Sequence, residues 1–285
     1  GRATLTYGEA WPLVRAVGQA LIDRGLSAER PLAILSGNDA QHLLLALAAQ
    51  HVGIPFAPVS PAYSLVSTDF AALKQVMSLL SPGLVYVSDR VKFARALAAA
   101  VPPGAEVIER STFGSLTSVT SGPEVDLRHQ AIQPDHTAKI LFTSGSTGAP
   151  KGVINTHRML CSNQQMILQT LPFLGDAPPI LVDWLPWHHT FGGNHNLGIV
   201  VYNGGSLHID DGRPLPGAFA ESVRCLREVV PTMYLNVPKG FEELVRVLDG
   251  DRALAGRFFS TVQVLFYAAA SLSQHVSDEL ERLAL

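Results

Sequence analysis

The sequence predicts an α/β fold, in which repeated strand–helix units form largely parallel sheets in two packed lobes. Three observations lead there. Short apolar runs alternate with longer segments whose apolar residues recur at helical spacing, and Gly, Pro, Asn and Asp punctuate the joins. Hydrophobic residues make up 47% of the 285 positions and charged residues 16%, enough for a substantial core and too apolar for disorder. No internal repeat or low-complexity tract interrupts the pattern.

The elements follow in order. Glu9–Arg24 has helical spacing and stops at Gly25, and Pro31–Leu35 reads as a short strand. Asn38 is placed to cap a helix running to Val52, closed by Gly53 and followed by a strand over Ile54–Val59. A helix from about Asp69 to Leu80 leads into strand Leu84–Val87 and a helix over Val91–Ala100. The Pro- and Gly-bearing stretch Pro102–Pro134 is expected to connect a first lobe, residues 1–134, to a second, residues 135–285. The second lobe opens with strand Lys139–Phe142 and a helix that Asn155 or Thr156 starts towards Leu171. Strands are then expected at Ile180–Leu185, Ser206–Ile209, Thr232–Leu235 and Val262–Phe266. Helices are expected near Asn194–Val201, Pro216–Val229, Lys239–Leu248 and Ser273–Leu283.

Composition excludes several function classes. A net charge near −3 with scattered basic residues leaves no electrostatic footprint for nucleic acid. No apolar run approaches the ~18 residues of a membrane span, and Leu43–Ala49 reads as a helix core. Cys161 and Cys225 are too few and too far apart for a disulfide framework or zinc site. Both read as reduced core residues of a cytoplasmic protein.

The chemistry concentrates in Phe142-Thr143-Ser144-Gly145-Ser146-Thr147-Gly148-Ala149-Pro150-Lys151-Gly152-Val153. Four hydroxyls, three glycines and one lysine follow the apolar run Ile140–Phe142. Glycine lets backbone N–H groups approach an anion, hydroxyls donate without bulk and lysine supplies charge, so the segment suits a polyphosphate. It is not a Walker A loop, because Lys151 lies three residues beyond Gly148 and is followed by Gly152 rather than Ser or Thr. A flexible linker has no use for Pro150-Lys151-Gly152-Val153 beside a strand. Ser146 is not a hydrolase nucleophile, since the G-x-S-x-G elbow needs glycine where Ser144 stands.

Thr143–Gly152 resembles the phosphate loop of the acyl-adenylate-forming superfamily, which includes acyl-CoA synthetases, peptide-synthetase adenylation domains and firefly luciferase. A Pro-x-x-His element follows in that family, and Pro186 and His189 match it within Val182–Asn196. There the histidine sits between acid and nucleotide, and the aromatic two residues later, here Phe191, lines the acid site. Together with Tyr202–Gly212, the wording is most similar to feruloyl-CoA synthetases. Leu265–Ser273 resembles the turn that packs on adenine and acyl group, which implies contacts from Ala268, Ala269 and Ala270. Many relatives have Gly-Ala-Pro where this chain has Ala269-Ala270-Ser271.

The fold implied is the family's large N-terminal domain. The activity implied is an acid–thiol ligase of the acyl-CoA synthetase type, taking ATP with Mg²⁺, coenzyme A and a small aromatic carboxylic acid. Catalytic roles fall to Lys151, His189 and Thr147, with Thr147 near the metal. Nucleotide contacts fall to Thr143, Ser144, Gly145, Ser146, Thr147, Gly148 and Lys151. The family's Tyr-Gly-x-Thr-Glu-like element, ribose aspartate, hinge and lid lysine have no match within the 285 residues. The chain is therefore expected to be a fragment that turns over poorly alone.

For the acid, Phe191, His195, Tyr234, Asn236 and Tyr267 are candidates, the last three because they lie at predicted strand ends where α/β clefts form. Phe and Tyr walls suit a flat aromatic acid, with Asn236 or His195 able to meet a phenolic oxygen. Packing alone also accounts for each of them. His188, His189 and His195 could suggest a metal, but no H-E-x-x-H or Cys partner accompanies them. A His-His-x-x-x-Asp acyltransferase motif fails at Gly193. For His188 and His195 a hydrogen-bonded core role stands beside the functional one. Asp210-Asp211 reads as a polar turn, and Trp184 and Trp187 as packing residues. The remaining alternatives are a carrier-protein thiol or a fatty acid in place of CoA or aryl acid, and a nucleotide-binding module without turnover.

Overall fold

The computed structural model describes residues 3–144, 149–215 and 217–285, and contacts divide it into two compact units, Gly1–Cys161 and Ser162–Leu285. The first unit runs α1 (Tyr7–Asp23), β1 (Leu32–Leu35), α2 (Ala40–His51), β2 (Phe56–Pro58), α3 (Ala62–Leu65), α4 (Ala71–Leu80), β3 (Leu84–Val87), α5 (Arg90–Ala100), β4 (Glu106–Glu109), α6 (Gly114–Thr117), α7 (Pro123–Gln130), β5 (Thr137–Ser144) and β6 (Pro150–Thr156). Its sheet has the order β4-β3-β1-β2-β5-β6. Every ladder is parallel except the last, where β6 folds back antiparallel on β5.

Strand alternation feeds two cores. Leu32, Ile34, Phe56, Leu84 and Tyr86 pack with α1 and α2, whereas Ala33, Leu35, Ala57, Val85 and Val87 pack with α4 and α5. Helices on both faces make the strands continuous apolar runs, as parallel sheets require. Asp39, not Asn38, caps α2: its carboxylate accepts the His42 amide at 2.7 Å. Pro102–Pro134 is more than a connector, since it contains β4, α6 and α7. The strand β6 is a second difference, because a glycine-bearing segment with polar residues carried no strand signal. The lobe boundary expected at residue 134 and the contact division at residue 161 differ by the β5–β6 hairpin, which is paired to the first sheet through Phe56↔Lys139.

Helix α8 (His157–Thr170) begins after β6, its Met159 amide donating to the Thr156 hydroxyl at 3.2 Å. Cys161 on this helix is exposed and only Cys225 is buried, so the expectation of two core cysteines holds for one. The second unit continues with β7 (Ile180–Asp183), a π-helical segment Phe191–Asn196, α9 (Leu197–Tyr202), β8 (Ser206–Ile209), α10 (Phe219–Glu228), β9 (Met233–Asn236), α11 (Pro238–Gly250), α12 (Arg252–Phe259), β10 (Val264–Tyr267) and α13 (Gln274–Ala284). Helix α12 lacks a sequence counterpart above, and the helix expected from Asn194 instead starts as the π-segment at Phe191.

Strand β7 pairs parallel with β8, and β9 with β10. Thr232 links the two pairs: its amide donates to Ile180 O at 2.9 Å and its hydroxyl accepts the Ile180 amide at 2.8 Å. Phe241, Leu244, Leu248, Phe258 and Leu280 close the core beneath α11–α13. Among the described residues no helix is long and apolar enough to cross a membrane.

Candidate functional site

The β5–β6 hairpin presents the ends of the candidate phosphate loop. Ladder pairing sets Thr143 opposite Lys151 and Ser144 opposite Pro150, so both chain ends of the loop are held in register. The base is apolar and firm: Leu141 and Phe142 are buried, and Gly152 lies so close to Ile140 that a Cβ there would sit 3.1 Å from Ile140 Cγ2. From α4, Gln75 donates to Pro150 O at 3.3 Å. Thr143 and Lys151 are exposed, with the lysine available to an anion. Gly145, Ser146, Thr147 and Gly148 lie outside the described residues.

A buried lysine stands on the same strand. Lys139 Nζ lies 5.3 Å from the Phe56 ring centroid, and burial pushes its pKa down to about 7. His42, buried nearby, is held at about 4 by desolvation, with the Lys139 charge adding to the effect. Its Nδ1 meets Gly37 O at 3.0 Å and Ser36 Oγ at 3.1 Å.

In the second unit, polar groups gather at the carboxyl ends of the parallel strands, where α/β clefts form. Asp183 ends β7, Asp210 follows β8, Asn236 ends β9 and Tyr267 ends β10. Asp183 is buried, and Oδ1 accepts the Leu185 amide at 3.0 Å. Desolvation raises its pKa to about 7, with Asp210 raising it further and the Asn196 amide and Arg213 opposing. Asp210, read from the sequence as part of a polar turn, is also buried. It accepts the Gly212 amide at 2.7 Å and the Ser222 hydroxyl, and this compact arrangement requires glycine at 212, where a Cβ would meet Ser222.

Residues Pro186–Thr190 form a tight turn that feeds the π-segment Phe191–Asn196. The His189 amide donates to Pro186 O at 3.1 Å, and the Gly193 amide donates to His189 O at 2.8 Å. The two glycines are steric requirements: a Cβ at Gly192 would stand 2.4 Å from Leu185 O, and one at Gly193 2.1 Å from Trp187 O. His189 is exposed as a residue, yet its ring is desolvated enough to lie below the ordinary histidine pKa. His188 and His189 rings are 4.5 Å apart, Trp187 is 2% exposed, and Arg213 lies 5.3 Å over Trp184.

The π-segment brings together an aromatic cluster. Phe191 and His195 lie 5.7 Å apart edge-on, Phe191 and Phe266 also 5.7 Å apart, and His195 stacks on Phe266 at 4.9 Å. Burial lowers the His195 pKa, with Asn196 Oδ1 at 2.9 Å from Nδ1 opposing the shift. Phe266 was missed by the sequence reading. Its signal was strand alternation, which sets it on the opposite face of β10 from Leu265 and Tyr267.

The other candidates lie elsewhere. Tyr267 is half exposed and lines a 260 Å³ groove with Phe241, Leu272 and Leu280, away from the Phe191–His195–Phe266 face. Tyr234 is 1% exposed and packed edge-on against Phe241 and Phe258. Its hydroxyl accepts Asn236 Nδ2 at 3.0 Å, while Asn236 Oδ1 accepts the Val237 amide at 2.9 Å. Ala268–Ala270 continue β10 into the small-residue turn, where Ala269 adopts φ +79°. That value costs an L-residue about 1 kcal/mol and suits glycine, the residue of many members of the resembled superfamily at this point. For magnesium the described residues offer no group of three or more His, Cys, Asp or Glu that could hold an ion. Thr147, the one proposed ligand, is outside them.

Known proteins share this architecture. The chain is 24% identical over 286 residues to a 4-chlorobenzoate–CoA ligase of Arthrobacter sp., covering 98% of this chain and 50% of that one. It is 23% identical over 294 residues to long-chain-fatty-acid–CoA ligase 2 of Schizosaccharomyces pombe, covering 96% of this chain and 41% of the relative. A solved malonyl-CoA ligase, in a ternary product complex with methylmalonyl-CoA and AMP, superposes with a TM-score of 0.77 at 21% identity. That match covers 100% of this chain and 54% of the ligase, so the chain spans about half the length of these relatives. The α/β fold with its mostly parallel central sheet is that of the N-terminal domain of acyl-adenylate-forming ligases. With the AMP-binding enzyme family matching residues 1–284, essentially the whole chain, this protein belongs to that family.

Proposed function

We propose that the protein from which this chain comes is an ATP-dependent aryl acid:CoA ligase, similar to feruloyl-CoA synthetase. The observation that carries the aromatic preference is the Phe191–His195–Phe266 cluster, two phenyl rings and a desolvated imidazole within 6 Å of one another. Such walls favour a flat ring over a flexible alkyl chain. The chlorobenzoate ligase among the relatives supports the same reading.

In this mechanism the acid's carboxylate attacks the α-phosphorus of ATP, pyrophosphate leaves, and a thiol then displaces AMP from the acyl anhydride. No protein nucleophile is needed, so the chain contributes position and charge. Lys151, fixed opposite Thr143, neutralises the departing phosphates, and the loop hydroxyls and amides of residues 143–148 hold the remainder. His189 stays neutral at physiological pH because its ring is desolvated, and it orients the carboxylate by hydrogen bonding. Ala268–Ala270 pack against the adenine. Thr147 and the phosphates of the nucleotide would hold magnesium, which would supply screening of the triphosphate charge. The chain spans about half the length of such a ligase.

Acid-dependent ATP–pyrophosphate exchange tests this on the full-length product, with ferulate, coumarate, benzoate and a medium-chain fatty acid side by side. Exchange with hydroxycinnamates should fall about 100-fold in Lys151→Ala, a loss typical of a removed charge-stabilising group. Exchange with the fatty acid alone would discard the aryl assignment. ATP binding without exchange by any acid would identify a non-catalytic module.

A further inference from the structure

In the second unit two buried polar groups, Asp183 and Asn196, stand beside the partly buried ring of His195, and each has an atom without a partner among the described residues. Asn196 is 0% exposed and Asp183 is 3% exposed. Asn196 Oδ1 lies 2.9 Å from His195 Nδ1. The Asn196 amide is near enough to Asp183 to favour its ionised form, yet the pair falls short of full hydrogen-bond geometry: Asp183 Oδ2 and Asn196 Nδ2 have no partner among the described residues. A buried carboxylate oxygen and a buried amide donor left open beside one another satisfy each other with a small closure. Leaving both open costs far more than closing them.

We infer that Asp183, Asn196 and His195 form a hydrogen-bond relay in which Asp183 and Asn196 are positioning residues that fix the tautomer of His195. The logic is one of donors and acceptors. Ionised Asp183 only accepts, so the Asn196 amide turns Nδ2 towards it and Oδ1 towards His195. Asn196 Oδ1 only accepts, so His195 carries its proton on Nδ1 and leaves the lone pair on Nε2. Stacking on Phe266 and contact with Phe191 hold the ring in place. Nε2 has no protein partner among the described residues and is not sealed from solvent. A fixed acceptor beside two phenyl rings recognises an aromatic ring bearing a hydrogen-bond donor, such as a phenol. This assignment of the ligand rests on the aryl-acid reading above, whereas the relay itself does not.

The relay is tested without any activity. Long-range ¹H–¹⁵N spectra of the ¹⁵N-labelled chain at pH 8, with His195 assigned by its loss in His195→Gln, should show a protonated Nδ1 and an unprotonated Nε2. A protonated Nε2 in the wild-type chain would overturn the relay. Asp183→Leu should release the Asn196 amide and mix the two tautomers, whereas Asp183→Asn, which keeps a carbonyl acceptor, should largely restore the wild-type pattern. Calorimetric titration then compares 4-hydroxycinnamate with cinnamate. The wild type should prefer the phenol about tenfold, the value of one good hydrogen bond, and Asp183→Leu should lose that preference while keeping its affinity for cinnamate. Equal binding of both acids by the wild type would overturn the assigned recognition. Binding of neither, with the Nδ1–H tautomer intact, would overturn the aryl-acid reading and leave the relay standing.

Discussion

The β5–β6 hairpin, which frames the candidate phosphate loop, and the π-segment Phe191–Asn196, which carries two rings of the aromatic cluster, are built by opposite means. The hairpin is a local device. Register between adjacent strands sets Lys151 opposite Thr143, and its chemistry is displayed outward from exposed positions. The π-segment is a long-range device: Gly192 and Gly193 let it press against the backbone of Leu185–Trp187, and Phe266 arrives from a strand some seventy residues later. A phosphate-binding loop needs backbone and charge, which a short stretch can supply. A shaped acid-binding wall needs packing, which it cannot.

Substitution of the glycines provides the largest test of this contrast. Gly193→Ala forces a Cβ to 2.1 Å from a backbone carbonyl that cannot swing aside, and it should cost about 3 kcal/mol or more. Hydrogen exchange would show amides of β7 and α9 losing protection while the first unit keeps its own.

A second, comparable effect distinguishes the units by pH. His42 holds a pKa of about 4 against an ordinary 6.5, so below pH 6.5 the unfolded chain binds the proton that the folded unit refuses. Stability of the first unit therefore falls on acidification, by about 3 kcal/mol between pH 6.5 and 4. Asp183 has the opposite sign. Its pKa of about 7 lies above the ordinary 3.8, so the folded unit binds the extra proton and loses stability as pH rises from 4 to 7. His189 and His195, with lowered values, oppose that trend in the second unit. Difference measurements isolate each group. Wild type should lose protection relative to His42→Leu on acidification, and relative to Asp183→Asn on alkalinisation. Parallel behaviour of the two pairs would break the comparison.

Two smaller effects sharpen it. Ala269→Gly relieves a left-handed backbone at φ +79° and should stabilise the turn after β10 by about 1 kcal/mol, read as slower exchange in β10. Gly152→Ala brings a Cβ to 3.1 Å from Ile140 Cγ2 and 3.4 Å from the Phe142 ring, side-chain atoms that need give only by a few tenths of an ångström, and should cost about 1 kcal/mol by the same readout. A cost equal to that of Gly193→Ala would make the hairpin as tightly packed as the π-segment.

Legibility in the sequence followed the same division. Strands Leu84–Val87 and Ser206–Ile209 and the alternating α/β order were readable, because apolar runs and helical spacing are local signals. Strand β6 was not, since Pro150–Thr156 is polar, glycine-bearing and mostly exposed, and takes its conformation from β5. Asp39 displaced Asn38 as the cap because only the frame of α2 decides which of two neighbouring Asx residues precedes it. In the candidate site, Phe191 and His195 do meet, as their spacing allowed. Tyr234 and Asn236 turned inward to satisfy each other, a choice made by α11 and α12 packing over β9. The buried roles of Asp183 and Asp210 left no local trace, because carboxylates on adjoining strands reveal their burial only when those strands are paired.

The π-helical turn has one more consequence. Such a turn holds a residue more than an α-helical turn would over the same rise, so the segment is sensitive to length as well as to side-chain identity. Removal of one residue between Phe191 and His195 would let the segment relax to an ordinary helix, in which the helix that follows keeps roughly its direction while Phe191 and His195 become three residues apart and shift by a small fraction of a turn relative to each other. Phe191, His195 and Phe266 would all survive, and the contact distances between their rings would change. Homologues that differ by a single insertion or deletion at this turn are therefore where a change of substrate should first be sought.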